Sequence, residues 1–419
     1  EKYGELRYNN ANRLVAGDFV RDYLRKQYPD LRVVDRVMHA SYAVELALTP
    51  TRFALAAQRY SQNPCVVGRR AGVTSPKQGC PTRMPARVTG VDVPPVPELQ
   101  VRVEPDGVRR QGRREVRYLA GFGSGVCFGV HSDCVKNLVR GITERVLYVR
   151  RGEGLDKPPR PVAGVWSRLS SIRQRLLRKM RSTPIVERED YPDLYHGRKR
   201  TVYERAVDSL KVRGLTVRDS FVSVFIKAEK VNFTAKVDPA PRVIQPRSPR
   251  YNVEVGRYLK LFEKELVRGF ARAFKYDVIL KGMNADQVGQ TLAANWESFS
   301  NPVAVGLDAS RFDQHVSREA LEWEHSVYNS VFGSAELRRL LKWQLVNRGI
   351  GRTEGHRVDY TVEGCRMSGD INTGMGNCLI MSSIVLAYFE CVGVTARLSN
   401  NGDDCVVMCE STDLAKLDG

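Results

Sequence analysis

The sequence predicts a mixed α/β (α+β) fold with more than one domain. At about 100–200 residues per domain, the 419 residues suggest two to four domains. Apolar residues make up 42% of the chain and charged residues 27%, which excludes a wholly disordered protein. After Thr201, strand-like segments such as Phe221–Ile226 alternate with helix-like segments to the end of the sequence, and this alternation predicts the mixed fold.

The first hundred residues predict a helical region followed by a linker. Val34, Met38, Tyr42 and Leu46 recur at helical spacing within residues 1–60. Eight prolines between residues 63 and 105 predict an irregular, proline-rich linker. No apolar run reaches the roughly 18 residues that span a bilayer, and no secretory signal precedes the helical region. The chain opens on Glu1, so we expect a fragment or a processed product.

The nine cysteines are odd in number and scattered along the chain, which indicates reduced thiols and a cytosolic setting. Cys127, His131 and Cys134 have the local spacing of zinc ligands, but the other half of a site would need Cys65 and Cys80, which lie far upstream and are not paired as CxxC, so zinc at this place stays open. The glycines between 121 and 125 lack the spacing of a nucleotide-binding loop, and we expect a tight turn there.

The charge is distributed unevenly. The whole chain carries a formal net charge of +19, but residues 301–419 hold 11 Lys+Arg against 16 Asp+Glu, a net charge of −5, which leaves +24 for residues 1–300. Residues 173–181 alone carry five positive charges, expected on a helix that either touches phosphates or is simply solvated. A basic region joined to a slightly acidic one suits a protein that holds a polyanion with one part and performs metal chemistry with the other. A soluble protein with a basic face is the alternative that charge alone leaves open.

Two segments of the acidic region predict polar side chains at the ends of buried elements. Val303–Asp308 predicts a buried strand that ends on Asp308, and Asp313 follows in the next turn, before a helix expected near Ser317. Residues 368–377 predict a small flexible loop that enters an apolar helix over 378–389, with Thr373 and Asn377 on one helical face.

A third segment predicts a hairpin. Two short strands flank Asn401-Gly402, which would place Asp403 and Asp404 together at the hairpin tip. Carboxylates held opposite Asp308 would form an oxygen site for two Mg²⁺ (or Mn²⁺) ions, with Asp308 and Asp403 as ligands and Asp404 bound more weakly. Taken alone, each segment is ordinarily a turn, a surface charge pair or a helix entry; their order and spacing together point to a catalytic site.

At these residues the sequence resembles viral RNA-dependent RNA polymerases. DASRFD at 308–313 is similar to motif A, SGDINTGMGN at 368–377 to motif B, and NGDD at 401–404 to motif C. The run from Phe225 to Asn252 resembles the basic motif F and, with GRKRTVYERA at 197–206, is especially similar to the plant tombusvirus family. The similarity covers roughly residues 140–410.

The resemblance implies a right-hand polymerase fold. It assigns residues 1–100 to an N-terminal replicase region with the linker and 101–276 to fingers and fingertips with motif F. It assigns 277–316 to palm with motif A, 317–366 to a fingers insertion, and 367–419 to palm with motifs B and C. Because the sequence stops 15 residues after Asp404, we expect the thumb to be largely missing from this chain.

The resemblance also assigns roles to residues. It makes Asp308, Asp403 and Asp404 the catalytic metal ligands. Asp313 and Asn377 would recognise the ribose 2′-hydroxyl of the incoming NTP, with help from Ser368 and Thr373. Lys227, Lys236 and Arg242 would line the NTP channel and neutralise the triphosphate, because the planar Arg fork and the Lys ammonium both bind phosphate.

The implied activity is primer-independent replication of a positive-strand RNA virus genome. The implied partners are single-stranded viral RNA, NTPs and a companion viral replicase protein. The implied location is the host cytoplasm, at membrane-associated replication complexes, with membrane contact made indirectly. Two alternatives remain: an RNA-binding replicase fragment without full activity, and a reverse transcriptase. The pair Asp313 and Asn377 argues against the latter, since a DNA-making enzyme favours a bulky residue that excludes the 2′-hydroxyl.

Overall fold

The computed structural model describes residues 83–94, 100–107, 115–117, 128–152 and 154–417. The predicted helices of residues 1–60, most of the proline-rich linker, the glycine cluster at 121–125 and Cys127 lie outside these ranges. The strands of the described ranges are β1 Arg83–Pro85, β2 Val101–Pro105, β3 Glu115–Arg117, β4 Phe128–Gly129, β5 Val149–Arg151, β6 Gly154–Asp156, β7 Val222–Ile226, β8 Val231–Asn232, β9 Val243–Ile244, β10 Pro302–Asp308, β11 Val346–Thr353, β12 His356–Glu363, β13 Ala396–Asn401 and β14 Asp404–Glu410.

The α-helices of the same ranges are α1 Val135–Ile142, α2 Ser170–Leu177, α3 Gly197–Val212, α4 Pro249–Phe274, α5 Ala285–Glu297, α6 Phe312–His315, α7 Arg318–Phe332, α8 Ala335–Lys342 and α9 Thr373–Val392. Strands and helices alternate along the chain, as the sequence predicts. The basic run at 173–181 is helical only as far as Leu177, the last residue of α2.

The chain divides into two compact units whose segments alternate along the sequence. Of the described residues, the smaller unit contains 83–91, 115–117, 128–137 and 228–239, and the larger contains 92–94, 100–107, 138–152, 154–227 and 240–417. In the described part of the smaller unit, β1 pairs with β3 and β4 with β8, both antiparallel. The Asp238 carboxylate accepts hydrogen bonds from the amides of Gly90 (2.9 Å) and Val91 (3.3 Å), which fastens the segment 228–239 within this unit.

A five-stranded sheet in the order β2-β12-β11-β7-β9 forms one part of the larger unit. Strand β11 runs parallel to β7, and the other neighbours are antiparallel. One face of the sheet packs on a buried cluster that includes Val224, Val358 and Tyr360. Gly349 is required in β11, because a Cβ there would overlap the Tyr360 ring.

A three-stranded antiparallel sheet in the order β10-β14-β13 lies in the same unit. The predicted strand over Val303–Asp308 is confirmed, but the prediction that it is buried is wrong, since its residues are half-buried or exposed. The physical reason is its place at the edge of this sheet, with β14 as its only strand neighbour among the described residues. The next helix, α7, begins where predicted: Ser317 caps it and accepts a hydrogen bond from the Ala320 amide at 3.2 Å.

The main hydrophobic core of the larger unit is helical. Helices α4, α7 and α9 contribute most of its buried residues, among them Phe262, Tyr328 and Leu379. Helix α9 is long and apolar enough to cross a membrane by length and composition, contrary to the prediction that no segment reaches this limit. Because 67% of its most apolar stretch of 18 residues is buried inside the protein, α9 serves here as a core helix. Its packing in the core fixes the position of the loop that precedes it.

Candidate active site

The β13–β14 hairpin carries the first acidic residues of the site. Its turn consists of Gly402 and Asp403, and Gly402 has a φ of +96°, which a residue with a side chain adopts at a cost. The buried Asn400 side chain holds the turn, donating to the Gly402 carbonyl (2.8 Å) and accepting from the Gly402 amide (3.2 Å). The predicted hairpin is therefore confirmed, with one difference. Only Asp403 lies in the turn, whereas Asp404 is the first residue of β14, because Asn401 pairs with it and extends the ladder by one residue.

Asp308 and Asp404 are direct cross-strand partners at the end of β10 and the start of β14. Residues paired in this way point to the same face of an antiparallel sheet, and like charges directly opposite each other destabilise the pairing. Both residues are exposed, and Asp403 is half-exposed beside them. The strand pairing thus brings the three predicted metal ligands to one end of the small sheet.

The donor set at this end of the sheet consists of carboxylate oxygens, the ligands that Mg²⁺ and Mn²⁺ prefer. Within the described part of the chain, no three acidic, His or Cys side chains stand close enough to enclose an ion by themselves. Mg²⁺ is ordinarily held by one or two carboxylates together with water and substrate phosphates. The paired carboxylates of Asp308 and Asp404, with Asp403 in the adjoining turn, fit such an ion.

Asp313 and Asn377 are brought together, as the sequence predicts. Asp313 lies on the short helix α6, and its carboxylate accepts a hydrogen bond from the Asn377 side-chain amide on α9 at 2.8 Å. Burial raises the pKa of Asp313; the hydrogen bond from Asn377 and the charges of Arg366 and Arg242 oppose this, and Asp403 adds to it. The carboxylate of Asp313 is therefore within electrostatic reach of both Asp403 in the turn of the hairpin and Arg242, the residue that precedes β9.

A fully buried ion pair supports Asn377 from behind. Arg366 donates from Nε to the Asn377 side-chain oxygen (3.1 Å) and forms an ion pair with Glu324, and both charged side chains have no exposed surface. Glu324 also accepts hydrogen bonds from Tyr328 (2.7 Å) and Asn372 (2.9 Å). The carboxylate of Glu324 thus orients Arg366, and Arg366 in turn orients Asn377.

The same network continues through Asn372 to two more buried side chains. Gln344 donates to the Asn372 side-chain oxygen at 3.2 Å, and the ring of His325 lies 3.2 Å from the Gln344 oxygen. Burial lowers the pKa of His325 to about 4, so its ring is neutral at physiological pH. Loop and helix residues of motif B are therefore connected by hydrogen bonds to α7 and to Gln344, which lies just before β11.

Sequence reasoning missed this network, although one local signal was present. Glu324 stands on the face of α7 that also carries Leu321, Val327 and Tyr328, and Arg366 lies between the buried Cys365 and Met367. A charged residue at a core position needs a charged or hydrogen-bonded partner. That signal indicates that a partner exists, but the 42-residue separation hides which residue it is.

The hydroxyls of Ser368 and Thr373 hold the motif B loop. Ser368 donates to the Val243 carbonyl on β9 (3.1 Å), and Thr373 donates to the Met367 carbonyl (2.8 Å). Ser368 lies in the loop that leads into α9, and Thr373 is the first residue of that helix. Their assistance in ribose recognition stays a prediction.

A second buried ion pair anchors the other side of this loop. Arg247 donates to the Asp370 carboxylate from Nε (2.5 Å) and from Nη2 (3.2 Å), and its remaining donors reach the Ser220 carbonyl and the Asn347 side chain. Gly369 lies against Pro246, where an added Cβ would stand 2.5 Å from the proline nitrogen. The loop is therefore clamped to the residues that follow β9.

Lys227 and Arg242 face each other across the extension of the β7–β9 ladder. The Lys227 amide donates to the Arg242 carbonyl at 2.8 Å, and Arg242 is exposed. Lys236 belongs to the segment 228–239 of the smaller unit, where its amide donates to the Asn232 carbonyl (3.2 Å). Its place in an NTP channel stays a prediction.

Lys281 is a further cation that the sequence did not single out. Gly374, in the first turn of α9, leaves room for its ammonium group, which would have to move if a Cβ were added there. Lys281 also lies 3.8 Å from Glu263 and lowers the pKa of Cys378, which burial raises to about 11. The ammonium group therefore stands beside the backbone that leads from the motif B loop into the helix.

Comparison with known proteins gives a family and a set of relatives. Residues 102–419 match the family described as viral RNA dependent RNA polymerase, and residues 1–53 match Tombusvirus p33. The chain is 44% identical over 344 residues to the RNA-directed RNA polymerase of Turnip crinkle virus, which covers 81% of this chain and 44% of the relative. It is 48% identical over 299 residues to the RNA-directed RNA polymerase of Melon necrotic spot virus, which covers 71% of this chain and 38% of the relative. It is 39% identical over 442 residues to the RNA-directed RNA polymerase of Tobacco necrosis virus (strain A), which covers 99% of this chain and 60% of the relative. The chain thus spans about half the length of these relatives.

Proposed function

Because this chain belongs to the family of viral RNA-dependent RNA polymerases, we propose that it copies an RNA template by nucleotidyl transfer from NTPs, in a tombus-like positive-strand RNA virus. The observation that carries this proposal is the hydrogen bond between Asp313 and Asn377 beside three carboxylates at the end of one sheet. We further propose that synthesis starts without a primer and that the chain adopts the fingers and palm of a right-hand polymerase, within the residue boundaries given by the sequence.

Asp308, Asp403 and Asp404 would hold the divalent metal ions. Mg²⁺ or Mn²⁺, when bound, supplies the charge that activates the attacking 3′-hydroxyl and stabilises the leaving pyrophosphate. The chain contributes the position of these carboxylates, through the paired strands β10 and β14 and the turn that Asn400 fixes. Phosphoryl transfer depends on such positioning more than on covalent help from the protein.

Asp313 and Asn377 would recognise the sugar of the incoming nucleotide. A carboxylate oxygen of Asp313 can accept a hydrogen bond from a 2′-hydroxyl, and the amide of Asn377 fixes the direction of that carboxylate. A substrate without the hydroxyl leaves the buried acceptor unpaired, which disfavours dNTPs. Ser368 and Thr373 would maintain the loop beside the sugar through their bonds to the backbone.

The basic residues Lys227, Lys236 and Arg242 would neutralise the triphosphate. Burial raises the pKa of Asp313 and the charge of Arg242 opposes this rise, which supports a position of Arg242 close to the nucleotide. An exposed guanidinium can bind two phosphate oxygens at once.

The N-terminal match to Tombusvirus p33 supports a companion replicase protein as a partner. We propose that the chain works with such a protein at membrane-associated complexes in the host cytoplasm, and that the membrane contact is indirect.

The test is incorporation of labelled NTP on single-stranded RNA with Mg²⁺ or Mn²⁺, for the chain itself and for Asp403→Ala. Asp208→Ala is the matched control, because Asp208 is an exposed acid on α3. We expect the wild type and the control to synthesise RNA and Asp403→Ala to bind RNA without synthesis. Equal incorporation by Asp403→Ala would overturn the metal assignment, and RNA binding without synthesis by all three would favour the non-catalytic replicase fragment.

A further inference from the structure

The five-stranded sheet has an outer face that the proposed polymerase site does not use. Along β11, Asn347, Gly349 and Gly351 are buried, whereas Arg348 and Arg352 are exposed. Strand pairing places Arg357 of β12 directly opposite Arg352. Successive side chains of a strand point to opposite faces, so these arginines share the face turned away from the buried cluster.

An open cavity of about 800 Å³ lies on this outer face. Twelve described residues line it, and five of them are arginines, whereas none is Asp or Glu. The arginines are Arg218, Arg247, Arg348, Arg352 and Arg357. A concave surface with one sign of charge attracts ligands of the opposite charge.

Three of these arginines already have carboxylate partners. Arg247 is held by Asp370, Arg352 lies 3.0 Å from Asp106, and Arg357 lies 2.6 Å from Asp359. By contrast, Arg218 and Arg348 form no ion pair with any described residue, and both are exposed. These two guanidinium groups are therefore the ones that an anionic ligand would meet first.

Aromatic side chains accompany the free charges. The Arg348 guanidinium lies over the Phe221 ring, 5.2 Å from its centre. Phe225 stands on β7 at an alternate position and is 43% exposed, which is unusual for a phenylalanine. Cations spaced along a strand with exposed aromatic rings are typical of surfaces that hold a single-stranded nucleic acid, since the rings stack on bases and the cations bind phosphates.

We propose that this outer face binds the backbone of single-stranded RNA, at a site separate from the carboxylate cluster. Arg218 and Arg348 contact phosphates, and Phe225 stacks on an unpaired base. The choice of RNA over other polyanions rests on the proposed function. The charge and shape of the face are features of the structure and do not depend on that proposal. Duplex RNA lacks splayed bases for the aromatic ring, and a membrane surface does not fit a concave cavity.

The floor of the cavity connects this face to the motif B loop. Pro246 and Arg247 line the cavity and also hold Gly369 and Asp370 of that loop. A template strand bound here therefore rests on the segment that positions the nucleotide site from the other side.

The test is fluorescence anisotropy with a labelled single-stranded RNA 12-mer, measured over a range of salt concentrations. The variant is Arg218→Ala with Arg348→Ala, and the matched control is Arg168→Ala with Arg338→Ala, which removes the same charge from exposed helical sites. Each phosphate contact on a single strand contributes about 0.7 to the slope of log K against log salt. We expect the variant to lose about 1.4 from this slope and to bind about 25-fold more weakly at 0.1 M salt, with the control unchanged.

Phe225→Ala tests the stacking contact independently. It should weaken binding about fivefold or more without changing the salt slope, because stacking involves no counterion release. Equal weakening by the variant and the control would overturn the proposal, as would equal competition by duplex RNA or by anionic lipid vesicles. All binding is measured in the Asp403→Ala background, so failure of RNA synthesis and failure of this site are distinguished.

Discussion

Replacing Glu324 by Gln removes the negative charge from the buried ion pair that supports Asn377. The change keeps the size of the side chain, but it leaves the Arg366 cation without a counter-charge at a position with no exposed surface. Removing one partner of such a pair costs about 3–5 kcal/mol, because the remaining charge stays buried. Glu324 also accepts hydrogen bonds from Tyr328 and Asn372, so three donors are disturbed by one substitution.

The matched control is Glu322→Gln, two residues earlier on the same helix. Glu322 pairs with Arg318 at 2.9 Å, but both side chains are about half exposed, at 47% and 45%. An exposed pair of this kind contributes about 0–1 kcal/mol. Urea unfolding should therefore separate the two variants by at least 2 kcal/mol in the free energy of unfolding.

A double variant separates stability from function. Glu324→Gln with Arg366→Met removes both charges, so no uncompensated charge stays buried, and the amide oxygen at position 324 can still accept hydrogen bonds from Tyr328 and Asn372. We expect this variant to recover much of the lost stability. It lacks the Arg366 donor to Asn377, so its preference for NTP over dNTP should remain eroded. The reasoning would be refuted if Glu324→Gln cost no more than Glu322→Gln, or if the double variant discriminated between the sugars as well as the wild type.

Three further substitutions test other features. Gly376→Ala places a Cβ 2.5 Å from the guanidinium of the buried Arg366 and should lower the free energy of unfolding by about 1–3 kcal/mol. The control is Gly289→Ala on α5, where nothing lies near the added Cβ, and it should raise the free energy of unfolding by about 0.5–1 kcal/mol. Equal shifts of the two variants in the urea midpoint would contradict this expectation. His325 has a folded-state pKa of about 4, below its unfolded value, so only the unfolded chain binds this proton and stability falls by about 1.4 kcal/mol per pH unit as the pH drops from about 6.5 to 4. His325→Gln should remove that slope from the stability profile, and an unchanged profile would show that the ring is not buried neutral. Arg242→Ala should raise the KM for NTP with little change in melting temperature because the residue is exposed, and a lower melting temperature with unchanged kinetics would argue against its channel role.

The sequence was most informative where the signal is local. The Asn-Gly hairpin, the strand that ends on Asp308 and the helix that carries Thr373 and Asn377 are all confirmed, because turn chemistry and helical spacing act over a few residues. The prediction that Asp404 lies at the tip of the hairpin was wrong by one residue, since Asp404 is the first residue of β14. The last residue pair of a ladder depends on how the neighbouring strand lies, which the local sequence does not show. The burial of β10 was wrong for a related reason, since apolar composition does not distinguish an edge strand from a central one.

The buried polar groups could not be predicted, because their partners are distant in sequence. Arg366 and Glu324 are 42 residues apart, and Arg247 and Asp370 are 123 apart. A single sequence shows that each charge needs compensation, and only the tertiary structure shows which residue provides it. The roles of Asp308, Asp403, Lys227 and Lys236 in catalysis and nucleotide binding remain predictions for the assays above.

The pairing of β2 with β12 has a consequence for the order of events during translation. Residues 101–105 take their hydrogen-bonding partners from residues 356–360, about 250 residues later in the chain. At about 5–20 residues per second, the ribosome needs roughly 13–50 s to deliver the second strand after the first. During that interval β2 lacks β12, the strand it pairs with, and the outer arginine-bearing face of the sheet is not yet complete. Nascent chains of this protein should therefore gain protease resistance in this region only after residue 363 has emerged.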